Sequence, residues 1–314
     1  MVILLELVKR NLKLYFKDKG LFFSSLITPL ILLVLYATFL AKVYKDSFVS
    51  NIPNGVIIEE GIINSVVAGQ LISSLLAVSC VTISFCSNLI MITDKANDRI
   101  YDLLITPVKK STLSLAYFIS CTISTLIITL STLGVSFIYL ATQGFYMSGL
   151  DVFKTILDVI LLTLFGSSLS CCINHFCKSN GAASAIGTLV SSIYGFICGA
   201  YMPISQFGKG LQHVISFLPG TYGTSLIKQH MLDGSFKELE NIGASQSLID
   251  GISESIDSRY YFFDNLVGEG AKYLVMIISI VLFISIFVAL NVIQNRKSKW
   301  FLRALEPFFW ALNN

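Results

Sequence analysis

The sequence predicts an all-α integral membrane protein with six transmembrane helices, and three observations carry that prediction. The 314 residues are 54% hydrophobic and 13% charged, with a mean hydropathy of +0.74, whereas soluble domains carry about 25% charged residues. Several windows of roughly twenty residues hold no Asp, Glu, Lys or Arg, a length that matches the hydrocarbon core of a bilayer. These windows are continuous and do not alternate every second residue, which selects helices over a closed barrel.

Residues 1–20 form the first element. Leu4, Leu5, Val8, Leu12, Tyr15 and Phe16 share one helical face, Lys9, Lys13 and Lys17 repeat every fourth residue elsewhere, and Glu6 is spaced to pair with Arg10. The pattern predicts an amphipathic helix on the inner leaflet that ends at Gly20. It serves either as an anchor that sets orientation or as a helix that also touches a cytoplasmic partner. No basic stretch precedes its apolar residues, so no cleaved signal peptide is expected.

The six spans are predicted over 21–41, 70–92, 113–142, 152–174, 182–202 and 273–291, within a permease domain covering 21–292. The third window exceeds the length a span needs, so it tilts or begins below the headgroups. Lys and Arg set the orientation: 14 of the 22 fall on the side of the termini and eight on the other. Five of those eight lie in the long segment 203–272, where the rule loses force. Both termini, including the basic tail 293–314, are therefore expected in the cytoplasm. Whether residues 300–314 lie on the inner leaflet or are dispensable stays open.

Within the cytoplasmic segments, 93–104 is the most informative. On one helix Ala96, Ile100, Leu103 and Leu104 would make an apolar stripe, and Asp94, Asp98 and Asp102 an acidic stripe, beside Lys95 and Arg99. Like charges at that spacing weaken an isolated helix, a cost that a docked partner offsets. Thr106 and Pro107 are suited to stop this helix and to cap the next.

On the other side, 203–234 is mostly uncharged and holds two helical patterns around Leu218-Pro219-Gly220, each too short to cross. A re-entrant pair dipping into the outer leaflet is expected, followed by a polar external segment over 233–269. Lys154 and Asp158, one turn apart at the outer end of the fourth span, are expected to pair. No other ionisable residue is expected in the central part of a span, which weighs against an ion-coupled carrier or channel.

Small and weakly polar residues line two spans. Ser73, Ala77, Cys80, Ser84, Ser87 and Asn88 share a face of the second, and Ser184, Thr188, Ser191, Gly195 and Gly199 a face of the fifth. The ordinary reading is helix packing, with Gly195 and Gly199 allowing close approach; the functional one is a substrate path at a dimer interface. Six of the seven cysteines fall in spans and Cys177 in a cytoplasmic loop, so no disulfide framework is implied. His175 and Cys177 are too few to hold a metal. His213 and His230 are read as external and without partners. No G-x-S-x-G or H-E-x-x-H marks a hydrolase, and no G-x-x-x-x-G-K-[ST] marks a phosphate-binding loop.

Four passages, with the six spans, resemble the type-2 class of ATP-binding-cassette exporter permeases. They are Lys17-Asp18-Lys19-Gly20 with Thr28-Pro29, the run Asp98-Arg99-Ile100-Tyr101-Asp102-Leu103-Leu104-Ile105-Thr106-Pro107-Val108, Met202-Pro203-Ile204-Ser205, and Phe217-Leu218-Pro219 through Tyr222. The resemblance implies a homodimer or paired permease in a bacterial plasma membrane, with a separate cytoplasmic ATPase that holds ATP and Mg. The chain itself then binds no cofactor and contacts lipid, the ATPase and a second permease copy, with no nucleic acid. It also implies that Asp94, Asp98, Arg99, Tyr101, Asp102, Leu103 and Leu104 form the coupling helix. The second and fifth spans then border the substrate path, with Ser73, Ser84, Asn88, Ser184, Thr188, Ser191 and Gly195 as candidates. The length of 233–269 points towards drug-type efflux.

Overall fold

A computed structural model of the chain describes residues 2–50, 58–105, 108–199, 201–263 and 265–312. The order begins with α1 (Val2–Lys17) and α2 (Lys19–Leu35), which runs through a π-helical turn (Tyr36–Leu40) into α3 (Ala41–Ser50). It continues with α4 (Glu60–Ser87), α5 (Leu89–Ala96), α6 (Arg99–Ile105), α7 (Lys110–Gln143), α8 (Gly149–Asn174) and α9 (Asn180–Ile197). The far end comprises α10 (Lys209–Ser216), α11 (Pro219–Asn241), α12 (Gln246–Ser255), a small hairpin of β1 (Tyr261–Phe262) and β2 (Asn265–Leu266), and α13 (Glu269–Leu312).

Among the described residues five helices are long and apolar enough to cross a membrane: Lys19–Leu40, Glu60–Ala96, Lys110–Gln143, Gly149–Asn174 and Glu269–Ile293. Helix α9, the fifth of the six spans expected, is 18 residues long and is not among them. At 1.5 Å per residue it reaches about 27 Å, and Ser184, Thr188, Ser191 and Ser192 dilute its apolar character.

Helix α4 is the centre of the bundle. It packs against α2, α7, α8, α9 and α11, and nearly all its side chains are buried. The α4–α8 contact is close because Gly166 faces the backbone of α4: a Cβ there would lie 2.9 Å from the Cys80 carbonyl oxygen. Around this axis the lipid-directed surface is carried by Phe23, Ile27 and Ile31 of α2 and by Ile277, Val281 and Leu282 of α13, all exposed.

Several expected boundaries move. Asp18 accepts a hydrogen bond from Leu21 N at 3.1 Å and caps α2, so the break between the first two helices falls there and Gly20 lies inside α2. The second leg of the expected re-entrant pair is not short. It is the 23-residue α11, which runs past Gly234 into the segment read as a polar loop. Its flank against α4 explains the extension: Ser65 and Ser235 hydroxyls lie 2.7 Å apart, and Gly69 admits Leu232. The pair Gly195/Gly199 is not a helix-packing motif either. Helix α9 ends at Ile197, and Gly199 takes φ +69, a left-handed conformation open to glycine. Gly195 makes room for the ring of Tyr201.

Candidate coupling site

The segment expected to form one helix over 93–104 is broken. Helix α5 stops at Ala96, Asp98 adopts φ +57, and α6 starts afresh at Arg99. Asx residues tolerate this left-handed conformation because the short side chain can bond locally. The expected stripe of Asp94, Asp98 and Asp102 therefore does not exist as one face: Asp94 belongs to α5, Asp98 to the turn and Asp102 to α6.

Asp94 is 1% exposed and sits in a closed set of bonds. Arg10 of α1 donates to it through Nη1 at 2.7 Å and Nη2 at 3.1 Å, and the Tyr117 hydroxyl of α7 donates at 2.7 Å. The Asp94 hydrogen bond, with its charge, outweighs the cost of burial and raises the pKa of the Arg10 guanidinium. The expected Glu6–Arg10 pair is replaced by this longer-range one. Beside it Asn11 Nδ2 donates to Ser120 Oγ at 3.3 Å, and the Tyr15 and Ser25 hydroxyls meet at 2.6 Å.

These bonds rotate α1 relative to the face read from its apolar residues. Leu7, Val8, Asn11 and Tyr15 are buried against the protein, while Leu5 and Phe16 are exposed. The helix is thus fastened to the bundle along one side. Asn11, a polar residue between Val8 and Tyr15 on the buried face, was the signal in the sequence for a specific partner.

Helix α6 is seated on the same apolar cluster. Leu103 packs against the cluster that includes Leu7, Val8, Met91, Leu113 and Phe287. Asp98, Arg99 and Asp102 are exposed, and Ile105 is 84% exposed at the tip. Tyr101 and Leu104 belong to α6, but their side chains lie outside the described residues, as do Thr106 and Pro107 entirely. Helix α7 begins at Lys110 with Lys109 as its N-cap residue, so it is not started by that proline.

Within this one chain the polar stripes on the second and fifth spans are placed differently. Ser73, Ser84 and Asn88 of α4 are buried inside this one chain. Ser84 Oγ donates to the Cys80 carbonyl at 2.7 Å, and Asn88 Nδ2 donates to Ser170 Oγ of α8 at 3.1 Å. On α9, Ser184 and Thr188 are exposed, Ser191 is half-buried and Gly195 is buried. Thr188 and Ser191 hydroxyls donate to the carbonyls of Ser184 and Gly187 in their own helix. Only α9 presents part of its stripe at the surface.

A second set of buried charges occupies the opposite end of the bundle, and here two expectations fail. Lys154 and Asp158 do not pair; Lys154 Nζ donates to Glu269 Oε1 at 3.1 Å. His230 is not an external residue without partners: its Nδ1 lies 2.5 Å from Asp158 Oδ2, and Tyr273 OH donates to Asp158 Oδ1 at 2.7 Å. His230 Nε2 lies 3.4 Å from Glu269 Oε1 without a hydrogen bond. Helix α11, which is not among the candidate spans, also buries Lys228. Its Nζ donates to the carbonyls of Gly199 at 2.7 Å and Ile256 at 2.9 Å and stands 3.7 Å from Asp257. Asp257 in turn accepts from Ile204 N at 2.6 Å. Among the described residues no group of His, Cys, Asp and Glu is arranged to hold a metal.

A search of curated proteins finds no match. The model of the ABC-2 type transporter family matches residues 4–232, from α1 through most of α11, and so includes the fastened N-terminal helix, the α6 turn and the central helices. That match covers well over half of the chain, and the protein belongs to the ABC-2 type transporter family, as a multi-pass membrane permease component.

Proposed function

We propose that this chain is the membrane half of a two-component exporter. It moves a hydrophobic or amphipathic molecule, such as a drug, antibiotic, peptide or lipid-like compound, out of the cell, using a cytoplasmic ATPase on a separate polypeptide. The supporting observation is the geometry of α6. Its charged tip and Ile105 project from the bundle, while Leu103 and α1 share one apolar cluster with the bases of α4, α7 and α13. A force applied at that tip reaches the core through packed side chains, since such interiors transmit displacement with little compression.

In this reading α9 also crosses, as the fifth of six spans, both termini are cytoplasmic, and α10 with the start of α11 forms the re-entrant outer pair. A second copy packs nearby, and the exposed face of α9, with Ser184, Thr188, Leu189 and Ile193, borders the path. Replacing Asp102 with Lys abolishes export and its stimulation of the ATPase, while membrane insertion and helix content stay as in the wild type. Transport at the wild-type rate in Asp102→Lys and in Asp98→Lys removes the assignment.

One observation favours a second reading, an ion-coupled carrier: the buried Asp158–His230 pair beside Glu269. Intramembrane carboxylates and histidines mark proton routes in such proteins. Solute uptake into liposomes driven by a pH gradient, with neither nucleotide nor ATPase present, establishes that reading and ends the first.

A further inference from the structure

Helix α10 is seated on the bundle by one side only. Ile215 and Ser216 are buried, and the Tyr222 hydroxyl of α11 donates to the Ser216 carbonyl at 2.7 Å, which fixes the end of the helix. Its other side carries Val214, Phe217 and Leu218, all exposed. The β1–β2 hairpin lies against α10. The His213 ring stacks on Phe263 with centroids 4.3 Å apart, and Phe217 meets Phe262 at 5.4 Å and Phe263 at 5.8 Å. The hairpin adds Tyr261, Phe263 and Leu266, exposed as well. Helix and hairpin thus present apolar side chains together, and clustered apolar surface of this kind marks a contact.

Two observations point to what covers it. The first is position. Only Val267 and Gly268 separate Leu266 from Glu269, where the candidate span Glu269–Ile293 begins, and three residue steps reach about 11 Å at most. Val267 N donates to the Tyr260 carbonyl at 2.8 Å and closes the base of the hairpin, so the patch is held beside that end of the span. A 25-residue helix is about 37 Å long, more than the roughly 30 Å of hydrocarbon it crosses. Its ends therefore reach the headgroups, and the hairpin lies there with it. The exposed, lipid-directed residues Leu274, Ile277 and Ile278 follow within the next turns of the same helix.

The second observation is backbone conformation. Phe263 takes φ +45, a left-handed geometry that is an outlier for a bulky residue and that turns usually give to glycine or asparagine. A ring held there at a cost, and left exposed, gains by being covered. Asn265, also exposed, is polar, which limits the depth to the headgroup layer, where aromatic rings gather at membrane surfaces.

We propose that the hairpin and the exposed side of α10 together bind the lipid surface at the end of the bundle opposite α1, at headgroup depth. The strands, which fall in the segment expected to be a polar external loop, are then a membrane contact additional to the spans. The proposal extends the reading of α10 as an outer-leaflet helix. Its test needs neither nucleotide nor ATPase, so its failure leaves the export reading standing.

The test uses the full chain in phosphatidylcholine vesicles that contain a photoactivatable phosphatidylcholine with its reactive group near the headgroup. After illumination, labelled peptides are mapped by mass spectrometry. On the wild type, residues 211–218 and 261–266 take label within about twofold of the start of α13, and α12 takes on the order of tenfold less. In the double variant Phe217→Asp/Leu266→Asp the label on the hairpin falls several-fold while that on α13 stays. Absence of lipid label from the wild-type hairpin overturns the proposal. It does so whether a water-soluble diazirine labels the patch instead, as for a surface in solvent, or neither reagent does, as for one covered by a second copy. Label unchanged in the double variant also overturns it.

Discussion

The two ends of the bundle both bury ion pairs, yet they use them differently. At the α1 end a single knot of Arg10, Asp94 and Tyr117 joins three helices, and Arg10 keeps a face to solvent. Its neighbours Asp98, Arg99 and Asp102 stay exposed. At the opposite end Lys228, His230 and Asp158 are each within 1% of full burial, and their partners come from α8, α11, α13 and the turn before the hairpin. One end fastens a surface helix and leaves a charged tip free for a partner. The other locks a polar helix into the interior. A buried charge survives only when it is paired and hydrogen-bonded, so the second arrangement leaves much less tolerance for losing a member.

The sharpest way to break that comparison is Lys228→Met. It leaves Asp257 and two carbonyls without their cation, and a cost of roughly 3–5 kcal/mol is expected, read as an earlier denaturation midpoint in detergent. The double variant Lys228→Met/Asp257→Asn recovers part of the loss. If Lys228→Met alone is neutral, the end opposite α1 is not locked by charge.

A smaller effect is expected from Arg10→Ala, about 1–3 kcal/mol, because Asp94 keeps the Tyr117 hydroxyl and Arg10 is only partly buried. What should change more is protease access to α1, measured by the rate at which residues near Lys9 and Lys13 are cut. Unchanged cleavage would mean that the helix is held by apolar contacts alone.

The smallest effect concerns acid. His175 lies just beyond α8, and burial, with help from Lys95, holds its folded pKa at about 4, below its ordinary value of 6.5. A base depressed on folding contributes stability that is complete above pH 6.5 and is lost as pH falls towards 4. The melting temperature therefore drops between pH 7 and pH 5, and His175→Gln flattens that dependence. Equal slopes in the two proteins would place the acid sensitivity elsewhere.

Much of the architecture was legible because hydropathy is a local property. The windows at 113–142 and 152–174 correspond to α7 and α8 within a few residues. Asn11 in an apolar stripe and Gly166 in a span were visible too, though nothing local named their partners. The coupling segment was legible as a short helix but not as a broken one, since Asn97 and Asp98 fit a helix pattern until α5 is continued from α4 and α6 has to turn against α1. Helix α11 was the largest miss. Thr221, Ser225, Lys228 and His230 fall in the segment read as a short leg dipping into the outer leaflet and returning, and they are buried because α4, α8 and α13 pack around α11 from distant parts of the chain.

By itself the sequence determined that this protein is helical and lies in a bilayer, and it carries the basic bias from which an orientation is expected. Those follow from how much apolar length each segment carries and from where Lys and Arg stand, quantities that need no partner residue. Only the tertiary structure decided that Asp94 belongs to a knot with Arg10, that Asp158 pairs with His230 and not with Lys154, and that the α4 stripe faces inward. Charge pairing depends on distances between segments many residues apart, and those distances exist only once the helices have packed.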